Sequence, residues 1–185
     1  MEAPAITRHR RPFLAPLWIP AVAVLLLAVL LIPAYRALDT TTIVLVRHAE
    51  KELSSIDDPP LAPEGELRAE KLAQMFGKIT GVGRLDAIYV SDTRRTQQTV
   101  EPLAARLQLQ PVVVPATELD TLARRALHDH RGGSVLVVAH SNTIPALARR
   151  IAGIDLAPIA DDDFGGIYLL SVPTLGKANV VKLEY

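Results

Sequence analysis

Apolar residues are distributed along this chain in two different ways. Residues 13–34 read FLAPLWIPAVAVLLLAVLLIPA, 22 positions without a charge. A bilayer core about 30 Å thick takes a helix of roughly 20 such residues, whereas a buried helix of a globular domain seldom runs that long without a polar face. Pro16 and Pro20 fall in the first turns, where a missing N–H costs little, and Pro33 falls at the far end. The run predicts a transmembrane helix or signal anchor over 13–34, after a short N-terminus (1–12) and before a linker (35–40).

From Thr41 the pattern changes to short β-branched runs alternating with stretches of helical spacing. Thr41–Val46 predicts a buried strand. Pro63-Glu64-Gly65-Glu66 opens a helix, with Leu67, Leu72, Met75 and Phe76 at helical spacing, that closes near Gly77. Asp86–Val90 predicts a second strand, and Thr93–Leu107 a helix that Pro102 kinks or restarts. Val112–Val114 is a third strand and Leu119–His130 a third helix. After Gly132-Gly133 comes the most apolar strand, Ser134–Ala139, and then a helix, Asn142–Ile151, that Gly153 can end. Ile167–Val172 and Asn179–Tyr185 are the last strands. The alternation predicts a three-layer α/β/α domain over 41–185 on a mainly parallel sheet. Only a Pro-Thr-Leu-Gly turn joins the last two strands, so at least one of them runs antiparallel.

Charge refines this picture. The 185 residues carry 20 basic and 20 acidic groups, which removes any bulk electrostatic case for nucleic-acid binding. Arg8, Arg10, Arg11 and Arg36, with Glu2, all precede residue 38, leaving 16 basic and 19 acidic residues for the rest. An anion site in that acidic body must be a local arrangement. Three arginines precede the apolar run and only Arg36 closely follows it, so the positive-inside rule puts the domain on the extracytoplasmic side. Arg10-Arg11-Pro12-Phe13-Leu14 resembles a twin-arginine export signal, and a chain cleaved and exported is the alternative. Small residues for cleavage are poorly presented around Ile32, Ala34 and Ala37, which favours a retained single-pass anchor. With no cysteine, disulfides and thiolate metal sites are excluded. Oligomeric state is not readable.

In open α/β sheets ligands lie beyond the carboxyl ends of the strands. Three strand ends carry polar residues there: Arg47-His48-Ala49-Glu50, Ser91-Asp92-Thr93-Arg94-Arg95-Thr96 and His140-Ser141-Asn142. Two guanidiniums and two imidazoles suit phosphoryl transfer, where charge spreads over three oxygens and catalysis is mostly positioning. A neutral imidazole can hold the phosphoryl group covalently. Asp57-Asp58 and Asp161-Asp162-Asp163 lack partners at metal-ligand spacing, so no metal or other cofactor is expected.

In these residues the chain resembles the histidine phosphatase superfamily, the phosphoglycerate-mutase-like group. Arg47-His48-Ala49-Glu50 is similar to its RHGE signature, with Ala for Gly. Asp58-Pro59-Pro60-Leu61, with Gly65, is similar to its D-x-P-L-T-x-x-G segment. Ser91, Arg95, Thr96 and Thr99 resemble the second-arginine motif, and Val137-Val138-Ala139-His140 the second-histidine strand. The likeness runs from about Thr42 to about Ile151. It implies that His48 is the nucleophile, with Arg47, Arg95 and His140 completing a phosphate pocket. The resemblance also implies a carboxylic acid between the second Arg and second His, here Glu118 or Asp120, although the family's context after Glu118 is missing. Ser141 and Asn142 could add hydrogen bonds at a helix N-terminus.

Other polar residues read as structural. Thr99 stabilises its helix, Arg94 lies at the surface or substrate rim, and Glu50 caps or pairs with Lys51 or a pocket arginine. His9, His128 and His130 are exposed, and the Asp161–Asp163 run is a solvated loop. Specificity falls to the segments between Glu50 and Leu61 and between Gln108 and Leu119.

Mutases of this family carry long insertions between the second Arg and second His, whereas Arg95 and His140 are only 45 positions apart. Hydrolysis is therefore expected, of a small phosphorylated metabolite or an envelope sugar or lipid phosphate. The alternatives are a phosphohistidine-protein phosphatase and a non-catalytic, membrane-anchored phosphate-binding module.

Overall fold

The structure, a computed structural model, describes residues 18–36, 39–54, 57–79 and 83–185. The N-terminus expected over 1–12, with its arginines and export-signal resemblance, positions 13–17 of the expected anchor and linker residues 37–38 lie outside the described residues. The chain forms two compact units, Met1–Tyr35 and Arg36–Tyr185.

The first unit holds all but the last residue of α1, Trp18–Arg36, a helix of 19 residues. At 1.5 Å per residue that is roughly 28 Å of helix. Trp18, Val24, Leu25, Leu26, Val29 and Leu31 are all exposed on it. Counted on the described residues alone, no helix is both long and apolar enough to cross a membrane.

The second unit is built on six strands: β1 Thr40–Arg47, β2 Ala87–Val90, β3 Val112–Val113, β4 Ser134–Ala139, β5 Gly166–Pro173 and β6 Asn179–Glu184. Their order is β3-β2-β4-β1-β5-β6. β1, β2, β3 and β4 run parallel, and only β5 is reversed, antiparallel to both β1 and β6. The helices are α2 Pro63–Phe76, α3 Arg94–Leu107, α4 Leu119–His128 and α5 Ile144–Ala152.

Side chains alternate across a strand with period two, which sorts the core into two layers. Ile43 and Leu45 of β1, with Tyr89, Val135 and Val137, pack with Leu122, Ala126, Leu147 and Ile151 of α4 and α5. Val44 and Val46, with Ile88, Val90, Leu136 and Val138, pack with Leu72, Phe76, Val100 and Leu103 of α2 and α3. Strands covered on both faces read as unbroken apolar runs. Each fully buried Leu or Ile here contributes roughly 1.5–3 kcal/mol.

Three local expectations shift. α3 passes through Pro102 without ending, because Val100, Leu103, Ala104 and Leu107 hold one continuous buried face on either side of it. β3 keeps only two residues, as an edge strand whose sole partner is β2. α5 begins at Ile144 rather than Asn142, because the Thr143 and Ile144 N–H groups both return to the His140 carbonyl and make a turn first.

Two features of this frame position the site. A Cβ on Gly65 would run into the Glu50 carbonyl oxygen, so the first turn of α2 lies directly against the backbone after β1. The reversal of β5 sets Ile167 opposite Val46, which brings the segment before Gly166 to the edge where the parallel strands end.

Candidate active site

Three strand ends deliver side chains into one cavity of about 1100 Å³, whose lining includes Arg47, His48, Arg95, His140, Ser141 and Asn142. Arg47 closes β1 and is buried, as is His48 after it. Arg95 stands in the first turn of α3, and His140 directly follows β4.

The His48 Nδ1 lies 2.8 Å from the Ala49 carbonyl oxygen. A carbonyl only accepts, so this contact places the ring proton on Nδ1 and leaves a lone pair on Nε2. The His48 and His140 rings meet edge to face, with centroids 5.2 Å apart. His140 Nε2 is 3.0 Å from the Ser91 hydroxyl. Ser91 in turn lies 2.9 Å from the Thr96 hydroxyl, so a small buried hydroxyl network fixes the second ring.

Burial pushes both imidazoles down to about 4. For His48 the Ala49 hydrogen bond opposes that fall, while His140, Arg95 and Arg47 reinforce it; for His140 the Arg95 charge acts with burial. Both rings are therefore neutral near pH 7, the form a nucleophilic imidazole needs.

The two guanidiniums are held differently. Arg47 Nη1 donates to the carbonyls of Ala160 and Asp163, at 2.9 and 3.1 Å. Its guanidinium carbon sits 3.9 Å over the Phe164 ring. Arg95 Nη1 lies 3.5 Å from the Asp58 carboxylate. Each arginine retains a buried Nε–H with no partner among the described residues. Donors of this kind suit an oxyanion bound between them.

Sequence reasoning missed how the supporting residues act. Asp58 accepts the Arg94 N–H with both carboxylate oxygens, at 2.9 and 3.1 Å, and so caps α3 from a distant loop. Glu50, expected to cap or to pair with Lys51 or a pocket arginine, takes a forked ion pair from Arg68 instead, the shortest contact being 2.6 Å. Burial works to raise the Glu50 carboxyl, but the Arg68 hydrogen bonds and charge outweigh it and hold it lowered. Arg68 also donates to the Tyr185 carbonyl at 3.0 Å. His130, expected to be exposed, is half-buried and lies 3.1 Å from the Tyr89 hydroxyl.

Neither expected acid, Glu118 or Asp120, is in the cavity lining. Glu118 becomes the residue before α4, exposed, and Thr117 rather than Glu118 lines the cavity. Asp120 is drawn to the outer surface, where Arg150 Nε donates to it at 2.6 Å. The Asp161–Asp163 run is not merely a solvated loop either: Asp161, Asp162 and Phe164 line the cavity. A usable signal was present, since an antiparallel strand near the C-terminus starts where the parallel strands end.

The profile of the histidine phosphatase superfamily (branch 1) matches residues 43–120. No curated relative matches the chain in sequence. Among solved structures, a mycobacterial glucosyl-3-phosphoglycerate phosphatase is similar at 17% identity and a TM-score of 0.59, over 76% of this chain and 97% of that one. The protein histidine phosphatase SixA, complexed with tungstate, is similar at 19% identity and 0.57, over 77% and 96%. A phosphoserine phosphatase from Entamoeba histolytica is similar at 14% and 0.55, over 78% and 97%. Over residues 43–120 the chain matches the histidine phosphatase superfamily, and three of its four resembling motifs, those carrying Arg47 and His48, Arg95, and His140, meet in one cavity.

Proposed function

We propose that this chain is a membrane-anchored phosphomonoesterase in which His48 carries the phosphoryl group from substrate to water. One observation carries the reading: a neutral imidazole with its Nε2 lone pair free stands in the same cavity as two arginines that each keep a buried, unpartnered donor.

The substrate phosphate seats among Arg47, Arg95 and His140. His48 Nε2 attacks phosphorus, the ester P–O bond breaks, and the leaving oxygen takes a proton. Arg47 and Arg95 neutralise charge that spreads over the equatorial oxygens. Water then attacks the phosphohistidine, inorganic phosphate leaves, and the imidazole is restored. Hydrolysis rather than mutase chemistry is favoured because only α3, β3 and α4 separate Arg95 from β4 and His140, so the segment between them holds no inserted lid to shield the intermediate from water. A cavity of about 1100 Å³ far exceeds one phosphate, leaving room for the rest of a phosphorylated metabolite or an envelope sugar or lipid phosphate.

The anchor belongs to the same proposal. The uncharged run of 13–34 supports a single span, and Arg8, Arg10 and Arg11 before it support a catalytic domain outside the cytoplasm.

The test is steady-state hydrolysis of p-nitrophenyl phosphate by the full chain in detergent. His48→Ala and Arg95→Ala should each reduce kcat/KM by about 10³-fold or more. Unchanged turnover in His48→Ala would remove the reading. An alkaline phosphatase fused after Tyr185 should be active if the domain is exported, and inactive if the topology is reversed.

A further inference from the structure

We propose that Asp161 is the acid that protonates the leaving oxygen, an assignment that rests on the phosphomonoesterase reading. An alkoxide is a poor leaving group, so ester cleavage gains from a carboxylic acid beside the departing oxygen. The segment Thr117–Asp120 does not place one in the cavity, since Glu118 is outside its lining and Asp120 is paired with Arg150. Three carboxylates do line it: Glu50, Asp161 and Asp162. Both Glu50 oxygens are held by Arg68. Neither Asp161 nor Asp162 has a side-chain hydrogen bond or ion pair among the described residues.

The turn that carries them is built into the phosphate pocket. The Asp163 N–H returns to the Ala160 carbonyl at 3.1 Å, which leaves Asp161 and Asp162 as the two corner residues of a tight turn. Both ends of that turn are gripped by one guanidinium group, because Arg47 Nη1 donates to the Ala160 and Asp163 carbonyls. Phe164, next along, packs on Arg47 and lies 6.1 Å from the His48 ring. The Asp163 carboxylate is turned away to Lys182 at 3.2 Å. Of the acidic groups acting on Arg47, Asp161 exerts the largest field and Asp162 the smallest. Asp161 is thus the corner whose carboxyl group is coupled more strongly to Arg47.

The proton balance is simple. As the His48 Nε2–P bond forms and the ester P–O bond breaks, the Asp161 carboxyl gives its proton to the departing alkoxide. The resulting carboxylate then accepts a proton from the water that attacks phosphohistidine, which restores the acid form. The step requires neither metal nor redox partner.

Leaving-group dependence tests this, because a p-nitrophenolate departs unaided and an alkoxide does not. The full chain in detergent would be assayed on p-nitrophenyl phosphate and on an alkyl phosphate, glycerol 1-phosphate. Asp161→Asn should lower kcat/KM for the alkyl ester by about 10²–10⁴-fold while changing the aryl ester by less than about threefold, a split that loss of folding or of phosphate binding would not give. Asp162→Asn should leave the ratio of the two substrates as in wild type. Equal losses on both esters in Asp161→Asn, no loss on either, or the selective loss appearing in Asp162→Asn would overturn the assignment while leaving the phosphomonoesterase reading in place. Failure of the wild type to hydrolyse either ester would remove both.

Discussion

The Ala49 N–H donates to the hydroxyl of Thr99 at 3.0 Å, in a buried contact between the backbone just past His48 and the second turn of α3. Thr99 in turn donates to the Arg95 carbonyl at 2.6 Å. One side chain therefore ties the two halves of the phosphate pocket together, and the helix-stabilising role read from the sequence is only half of what it does. Thr99→Val removes the hydroxyl at nearly constant shape and leaves the Ala49 N–H buried without an acceptor. The expected cost is about 1–3 kcal/mol in denaturant unfolding, with a fall in kcat, and Thr99→Ser should recover most of both. Full activity in the valine variant would show that the tie does not position His48.

Asp58 offers a second handle. Its carboxylate caps α3 and lies beside Arg95. Asp58→Ala should destabilise the domain by about 1 kcal/mol, as loss of an N-terminal cap does, and raise KM for a phosphoester because Arg95 loses its orienting partner. Asp58→Asn keeps an oxygen for the cap but not the charge. It should restore stability more than KM, which thermal unfolding and initial rates would separate.

The paired imidazoles set a pH dependence. An unfolded histidine titrates near 6.5, whereas burial lowers His48 and His140 to about 4. Above pH 6.5 the rings are neutral whether the chain is folded or not. Between about 6.5 and 4 the unfolded chain takes up protons that the folded rings refuse, so stability falls as pH drops through that window. For His48 the total is on the order of 3 kcal/mol. Bound phosphate should raise both values, because an anion favours the charged imidazole. Imidazole NMR titration with and without tungstate checks the sign, and downward shifts on binding would contradict it.

Much of this was legible from residue order. β1 and β4 stood out because both faces of each are covered, which forces long apolar runs such as Ile43–Val46 and Val135–Val138. The ends of those strands located Arg47, His48 and His140, and Pro63 at the first position of α2 marked that helix start. What stayed hidden depends on contacts between distant segments. Asp58 reaches α3 across 36 positions, and Arg47 reaches Ala160 across 113, so no local pattern reports either. The run Asp161–Asp163 read as solvated because its polarity is indistinguishable from that of any exposed turn. The acid expected at Glu118 or Asp120 was carried over from a family pattern, and neither residue lines the cavity, Glu118 standing before α4 and Asp120 pairing with Arg150.

The central claim is that His48 Nε2 accepts the phosphoryl group. The direct measurement is rapid acid-free quenching of the full chain during turnover of a ³²P-labelled aryl phosphate, followed by peptide mapping. The account predicts label that is acid-labile and alkali-stable, confined to the peptide containing His48 and absent from His48→Ala. Label on another residue, or turnover with none trapped on any timescale shorter than a catalytic cycle, would contradict it.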